Sequence, residues 1–112
     1  MAQAVRVGDL VFVSGQVALD AEGSLVGAGD AEAQAEQCFA NLERVLSHAG
    51  CGLRDVVKLT CYLASLDAFD GYSKVKARIF DGIPPASTAV RAELLDDRFL
   101  MEVEAVAVVE KD

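Results

Sequence analysis

The stretch GDLVFVSGQ, residues 8–16, sets the frame in which the rest of the chain is read. Gly8-Asp9 is a hairpin-type turn signal between two apolar runs, the first of which starts at Val5. Leu10-Val11-Phe12-Val13 reads as a strand with both faces partly covered, closed by Ser14-Gly15-Gln16. Asp20-Ala21-Glu22-Gly23 is a second turn, and Leu25-Val26 fits a short edge strand. Asp30 suits a helix N-cap, with Glu32 facing the positive end of the helix dipole.

Residues 31–48 carry a helical stripe of Ala35, Cys38, Phe39, Leu42, Val45 and Leu46, stopped by Gly50. Residues 55–63, DVVKLTCYL, are rich in β-branched and aromatic side chains and predict a strand. A second helix over residues 68–80 places Phe69, Tyr72, Val75, Ile79 and Phe80 on one side, with Gly82 and Pro84-Pro85 ending it. Strands over 87–94 and 99–109 complete the pattern, joined as a hairpin through Leu95-Asp96-Asp97-Arg98. The order ββ(β)αβαββ predicts an α+β domain, one mixed sheet with both helices on one face. The strands are apolar throughout, so the other face also needs cover, and oligomerisation is the simplest way to supply it.

At 112 residues the chain is one domain with a modest core, and its 53% hydrophobic content is high for so small a unit. No apolar run is long enough to span a bilayer and no signal peptide is visible, which predicts a cytoplasmic protein with no membrane partner. Eighteen acidic against ten basic residues give a net charge of -8, which repels a phosphate backbone and argues against nucleic acid. Cys38, Cys51 and Cys61 are odd in number and lack CxxC spacing, so they read as small hydrophobes in a reducing compartment, not as a disulfide or metal framework. The single histidine, His48, closes the first helix and complements its dipole; no second histidine makes it a metal ligand or a triad member. Gly27-Ala28-Gly29 lacks the context of a nucleotide loop, and Phe69 and Tyr72 read as core.

Several segments together resemble one family. Residues 8–16 are similar to its opening G-x-x-apolar-apolar-x-SGQ, and Gln34, Gln37, Asn41-Leu42 and Ala49-Gly50 to its helix pattern. Asp55-Val56-Val57-Lys58 with Tyr62-Leu63 and Phe69, then Pro85-Ala86, then Glu102-Val103-Glu104-Ala105-Val106-Ala107, follow in the same order. Over nearly its whole length the chain resembles the Rid (YjgF) family. That resemblance implies a chorismate-mutase-like fold, a homotrimer whose sheets form a central barrel, and small-molecule clefts between neighbouring subunits. Deaminases of the family hydrolyse enamines and imines such as 2-aminoacrylate to a keto acid and ammonia, without metal or cofactor.

The same resemblance assigns roles by position. The family's carboxylate-gripping arginine follows its Pro-Ala pair, where this chain has Ser87. A serine offers one neutral hydrogen bond in place of a bidentate charged grip. Glu102 falls on the glutamate that orients or polarises water, and Glu104 points to the same strand face. Gly15 falls on the glycine whose backbone approaches the ligand, the family's asparagine falls at Ser73, and its N-terminal tyrosine falls at Met1. Arg91 shares the strand face of Ser87 about 13 Å further on, either pairing with Glu102 or Glu104 or leaning back to bind the ligand. Two functions are therefore expected: a small-metabolite binder that hydrolyses an enamine or imine with Glu102, or a non-catalytic trimeric ligand-binding or regulatory protein. The endoribonuclease and translation-inhibitor roles described in the family are disfavoured by the acidic charge and the lack of catalytic histidines.

Overall fold

A computed structural model describes residues 2–109; Met1, the position of the family's tyrosine, lies outside them. The described elements are β1 (Ala4–Val7), β2 (Leu10–Gln16), α1 (Ala31–His48), β3 (Val56–Leu63), α2 (Phe69–Ile79), β4 (Ala86–Arg91) and β5 (Met101–Val108). They build a five-stranded mixed sheet in the order β1-β2-β5-β3-β4. As the sequence predicts, the fold is α+β with both helices on one face. No helix among the described residues is long and apolar enough to cross a membrane.

Local chemistry accounts for most of the elements. Gly8-Asp9 turns β1 into β2, with Val7 opposite Leu10. The Asp30 carboxylate accepts from the Ala33 N–H at 3.1 Å and caps α1. The α1 stripe from Ala35 to Leu46 is buried as its spacing demands. It packs on Val11, Val13, Val103 and Ala105, each deep in the core. Phe39 anchors α2 from α1, stacking on Tyr72 at 6.0 Å and meeting Phe80 edge-on at 5.7 Å. Close contact between the helices is allowed at Gly71, where a Cβ would sit 2.9 Å from both Ala31 Cβ and Glu32 N. Phe69 departs from the core reading: at the first residue of α2 it is 44% exposed, while Tyr72 one turn on is fully buried. Leu25 forms one bridge to Leu19 rather than an edge strand with Val26.

The C-terminal hairpin is overturned. β4 lies parallel to β3 at the sheet edge, Ser87 opposite Leu59 and Arg91 opposite Leu63. The chain then crosses back through residues 92–100, and β5 inserts between β2 and β3, antiparallel to both. The turn signal at 95–98 is genuine but local: Asp96 accepts from the Arg98 N–H at 2.8 Å and pairs with its guanidinium. Burial separates the two strands clearly. Every residue of β4 is exposed, whereas Met101, Val103, Ala105 and Ala107 of β5 are buried.

Three polar residues of the α1 pattern work as clamps on loops. Gln34, fully buried, donates to Gly27 O at 3.1 Å and Arg98 O at 3.0 Å, and accepts from Leu100 N at 2.9 Å. Asn41 donates to Val17 O and Leu19 O at 2.9 and 2.8 Å, and Gln37 braces Asn41 at 2.9 Å. Gln34→Leu would leave Arg98 O and Leu100 N–H without their partner at the entry to β5, while Gly27 O keeps its bond from Asp30 N–H. Urea unfolding is expected to show a loss of about 3 kcal/mol; a change below about 1 kcal/mol would mean that water replaces the clamp.

Candidate functional site

β2 carries one extra residue opposite β5: Val13 pairs with Ala105 but Gln16 with Val103. This bulge at Ser14-Gly15 turns Gln16 inward, where it is buried, and sets Gly15 beneath the side chain of Glu102. A methyl group on Gly15 would lie 2.2 Å from Glu102 Oε2 and 2.8 Å from its Cγ, so only glycine lets the carboxylate rest there. Glu102 faces away from the helices, opposite Tyr62 on β3. The Tyr62 hydroxyl donates to Glu104, and this bond to a carboxylate raises the phenol's pKa above its ordinary value. Tyr62, Glu102 and Glu104, with Leu94 and Leu95 of the crossover, line a groove of about 250 Å³. A second cleft on this face, about 420 Å³, runs past Phe12, Ser14, Lys58, Thr60 and Glu104.

Ser87 belongs to a different place. Paired with Leu59, it projects to the helix face of the sheet, and its Oγ accepts from Lys76 Nζ of α2 at 3.1 Å. The same ammonium lies 5.6 Å from the centre of the Tyr72 ring. Ser73 is half-buried one turn before Lys76 on that helix. Two clusters thus emerge, Gly15 with Glu102, Tyr62 and Glu104 on the outer face, and Ser87 with Lys76, Tyr72 and Ser73 on the helix face. In one chain, no small molecule touches both.

Arg91 joins neither cluster. The expected pairing with Glu102 or Glu104 is overturned, because β3 stands between β4 and β5. Arg91 is exposed and lines a groove with Ala64, Ser65 and Glu93 at the far end of β4. Cys38 and Cys61 are buried and burial pushes both thiols up to about 12, so neither is a nucleophile at neutral pH. Among the described residues no cluster of His, Cys, Asp and Glu has the grouping that holds a metal. Tyr62 entered only as part of the resemblance, with no role attached, and Lys76 carried no distinctive motif. Spacing carried the one available signal, since Lys76 follows Tyr72 by one helical turn.

Comparison with known proteins places these residues in a lineage. The profile of the family described as Endoribonuclease L-PSP matches residues 1–109. A RutC family protein of Pyrococcus abyssi is 37% identical over 105 residues, 94% of this chain and 83% of its own. The 2-iminobutanoate/2-iminopropanoate deaminase of Mus musculus is 38% identical over 107 residues, 95% of this chain and 78% of its own. The crystal structure of a putative endoribonuclease from Thermotoga maritima superposes with a TM-score of 0.91 at 38% identity, covering 99% of this chain and 87% of that one.

The contact at Gly15 is testable without any substrate. Gly15→Ala is expected to displace the Glu102 carboxylate, moving its ¹³C NMR signal. Stability should hold within about 1 kcal/mol, because the free end of a flexible side chain yields. An unmoved Glu102 signal would disprove the contact.

Proposed function

Because the chain belongs to the endoribonuclease L-PSP, or Rid, family, we propose that it binds a small metabolite between neighbouring copies and hydrolyses an enamine or imine there. One observation carries this reading: the Glu102 carboxylate lies over the bare backbone of Gly15 beside an open groove. The name of the Mus musculus relative supports the reaction class. An enamine first takes a proton at carbon to become an imine. Glu102 accepts a proton from water as the oxygen adds to the imine carbon, then returns it to the nitrogen. The carbinolamine collapses to a carbonyl compound and ammonia.

A second copy supplies the rest of the cleft. Ser87 and Glu102 lie on opposite faces of one sheet, so a ligand touching both requires two chains. Val5, Phe12 and Val90 leave apolar surface uncovered on the outer face, at 53%, 45% and 43% exposure. A homotrimer closing its sheets into a barrel covers that face. The alternative, a non-catalytic trimeric binder, is favoured by one residue, the serine at position 87. Nucleic acid as a substrate is disfavoured by the net charge of -8.

Ammonia release from 2-aminoacrylate and bulkier imines generated in situ tests the reaction. Glu102→Ala is expected to cut the catalysed rate by about 100-fold or more. Gly15→Ala should give a comparable loss, with no further loss in the double variant, since both remove the same placed carboxylate. Equal rates for wild type and Glu102→Ala on every substrate would leave the non-catalytic reading. Light scattering should return three times the 11.8 kDa chain mass, and a monomer would rule out the shared cleft.

A further inference from the structure

Beside the β1 edge, on the face that carries the helices, lies a cavity of about 480 Å³. Strand pairing explains its position. Ala4 stands opposite Val13 and Arg6 opposite Val11, so both project to the face on which Val11 and Val13 join the core. Arg44 and His48, four residues apart near the end of α1, project from one side of that helix into the same space. Ala4, Val45 and Ala49 give the cavity an apolar floor.

No acidic side chain lines this cavity, although acidic residues outnumber basic ones by 18 to 10 in the chain. The grooves described above hold at most one cation each. Neither arginine belongs to the ion pairs of the described residues, which engage Lys74, Arg78 and Arg98. Arg6 Nε donates to Gly8 O at 2.9 Å, which orients the guanidinium and leaves its terminal nitrogens to donate. Gln3, also in the lining, uses its carbonyl oxygen to accept from Gln16 at 2.8 Å, so its NH2 group is the end left to a ligand. The C-terminal end of α1 opposes an anion with about half a unit of negative charge, which two guanidiniums exceed.

We propose that this cavity binds a small organic phosphate monoester, its phosphate held between Arg6 and Arg44 and its apolar body on Ala4, Val45 and Ala49. A phosphate monoester carries close to two negative charges at neutral pH, a match for two guanidiniums. The planar arginine fork also fits phosphate oxygens bidentately. The volume falls in the range of small-molecule sites and exceeds what inorganic phosphate fills, so the apolar floor shares in recognition. In a chain of net charge -8, an anion is held only where local cations outweigh the mean field. The sheet stands between this cavity and Glu102, so the site does not depend on the hydrolase reading.

His48 is the only histidine in the chain, so its imidazole NMR signals report on this cavity directly. Untagged protein is titrated with phenyl phosphate, inorganic phosphate and benzyl alcohol. Phenyl phosphate is expected to shift the His48 signals to saturation, with an affinity about tenfold or more above that of either control. Arg6→Gln and Arg44→Gln should each weaken it about tenfold or more, and Arg44→Lys by less than Arg44→Gln. Both arginines are exposed, so these variants are expected to fold, and Glu102→Ala should bind as wild type does. Unmoved His48 signals, equal affinity for inorganic phosphate or benzyl alcohol, or undiminished binding when both arginines are replaced by glutamine would overturn the proposal.

Discussion

The fold depends on β5, the last strand in sequence and the middle strand in space. The β1-β2 pair and the β3-β4 pair are joined into one sheet only through it, since β2 and β3 do not pair with each other. Its four inward residues, Met101, Val103, Ala105 and Ala107, form the floor on which α1 rests. Gln34 ties α1 to Arg98 and Leu100, at the point where the crossover becomes β5. Helix docking and strand insertion are therefore one event, joined by a buried amide whose three bonds have no substitute in a dry interior.

The same strand organises the chemistry. Its outward residues include Glu102 and Glu104, so the element that completes the core also carries the carboxylates. The β2 bulge then determines what Glu102 meets, because the extra residue brings a glycine against it rather than a side chain. The edge strand β4 has the opposite character. It is exposed along its length, and the contact from Lys76 to Ser87 ties it to α2 on the far side of the sheet. The two polar groupings thus lie on opposite faces of one sheet.

How far the sequence could be read follows from the range of each interaction. The N-cap at Asp30, the α1 stripe and the Gly8-Asp9 turn depend on neighbours within a few residues, and each is where the pattern placed it. β4 and β5 were legible as strands but not in their pairing. A parallel partner such as β3 leaves no local turn to betray it, whereas Asp96 makes a real turn that mimics a hairpin. Gly15 and Glu102 were legible through resemblance alone, for the bulge that joins them has no signature in hydrophobic period. Lys76 looked like any helix-surface lysine. Its place beside Ser87 depends on α2 crossing an edge strand, a fact settled only in three dimensions.

The central position of β5 also has a consequence for biosynthesis. A ribosome releases residues 1–100 before the strand that joins β2 to β3 exists, so earlier nascent chain has no sheet to close. At about 5–20 residues per second, Val11, Val13, Leu59 and the α1 stripe wait between about 2 and 20 seconds for their floor. During that interval the apolar faces and the free edges of β2 and β3 are the surfaces a chaperone would meet. Sheet closure thus waits until residues 101–108 have cleared the exit tunnel.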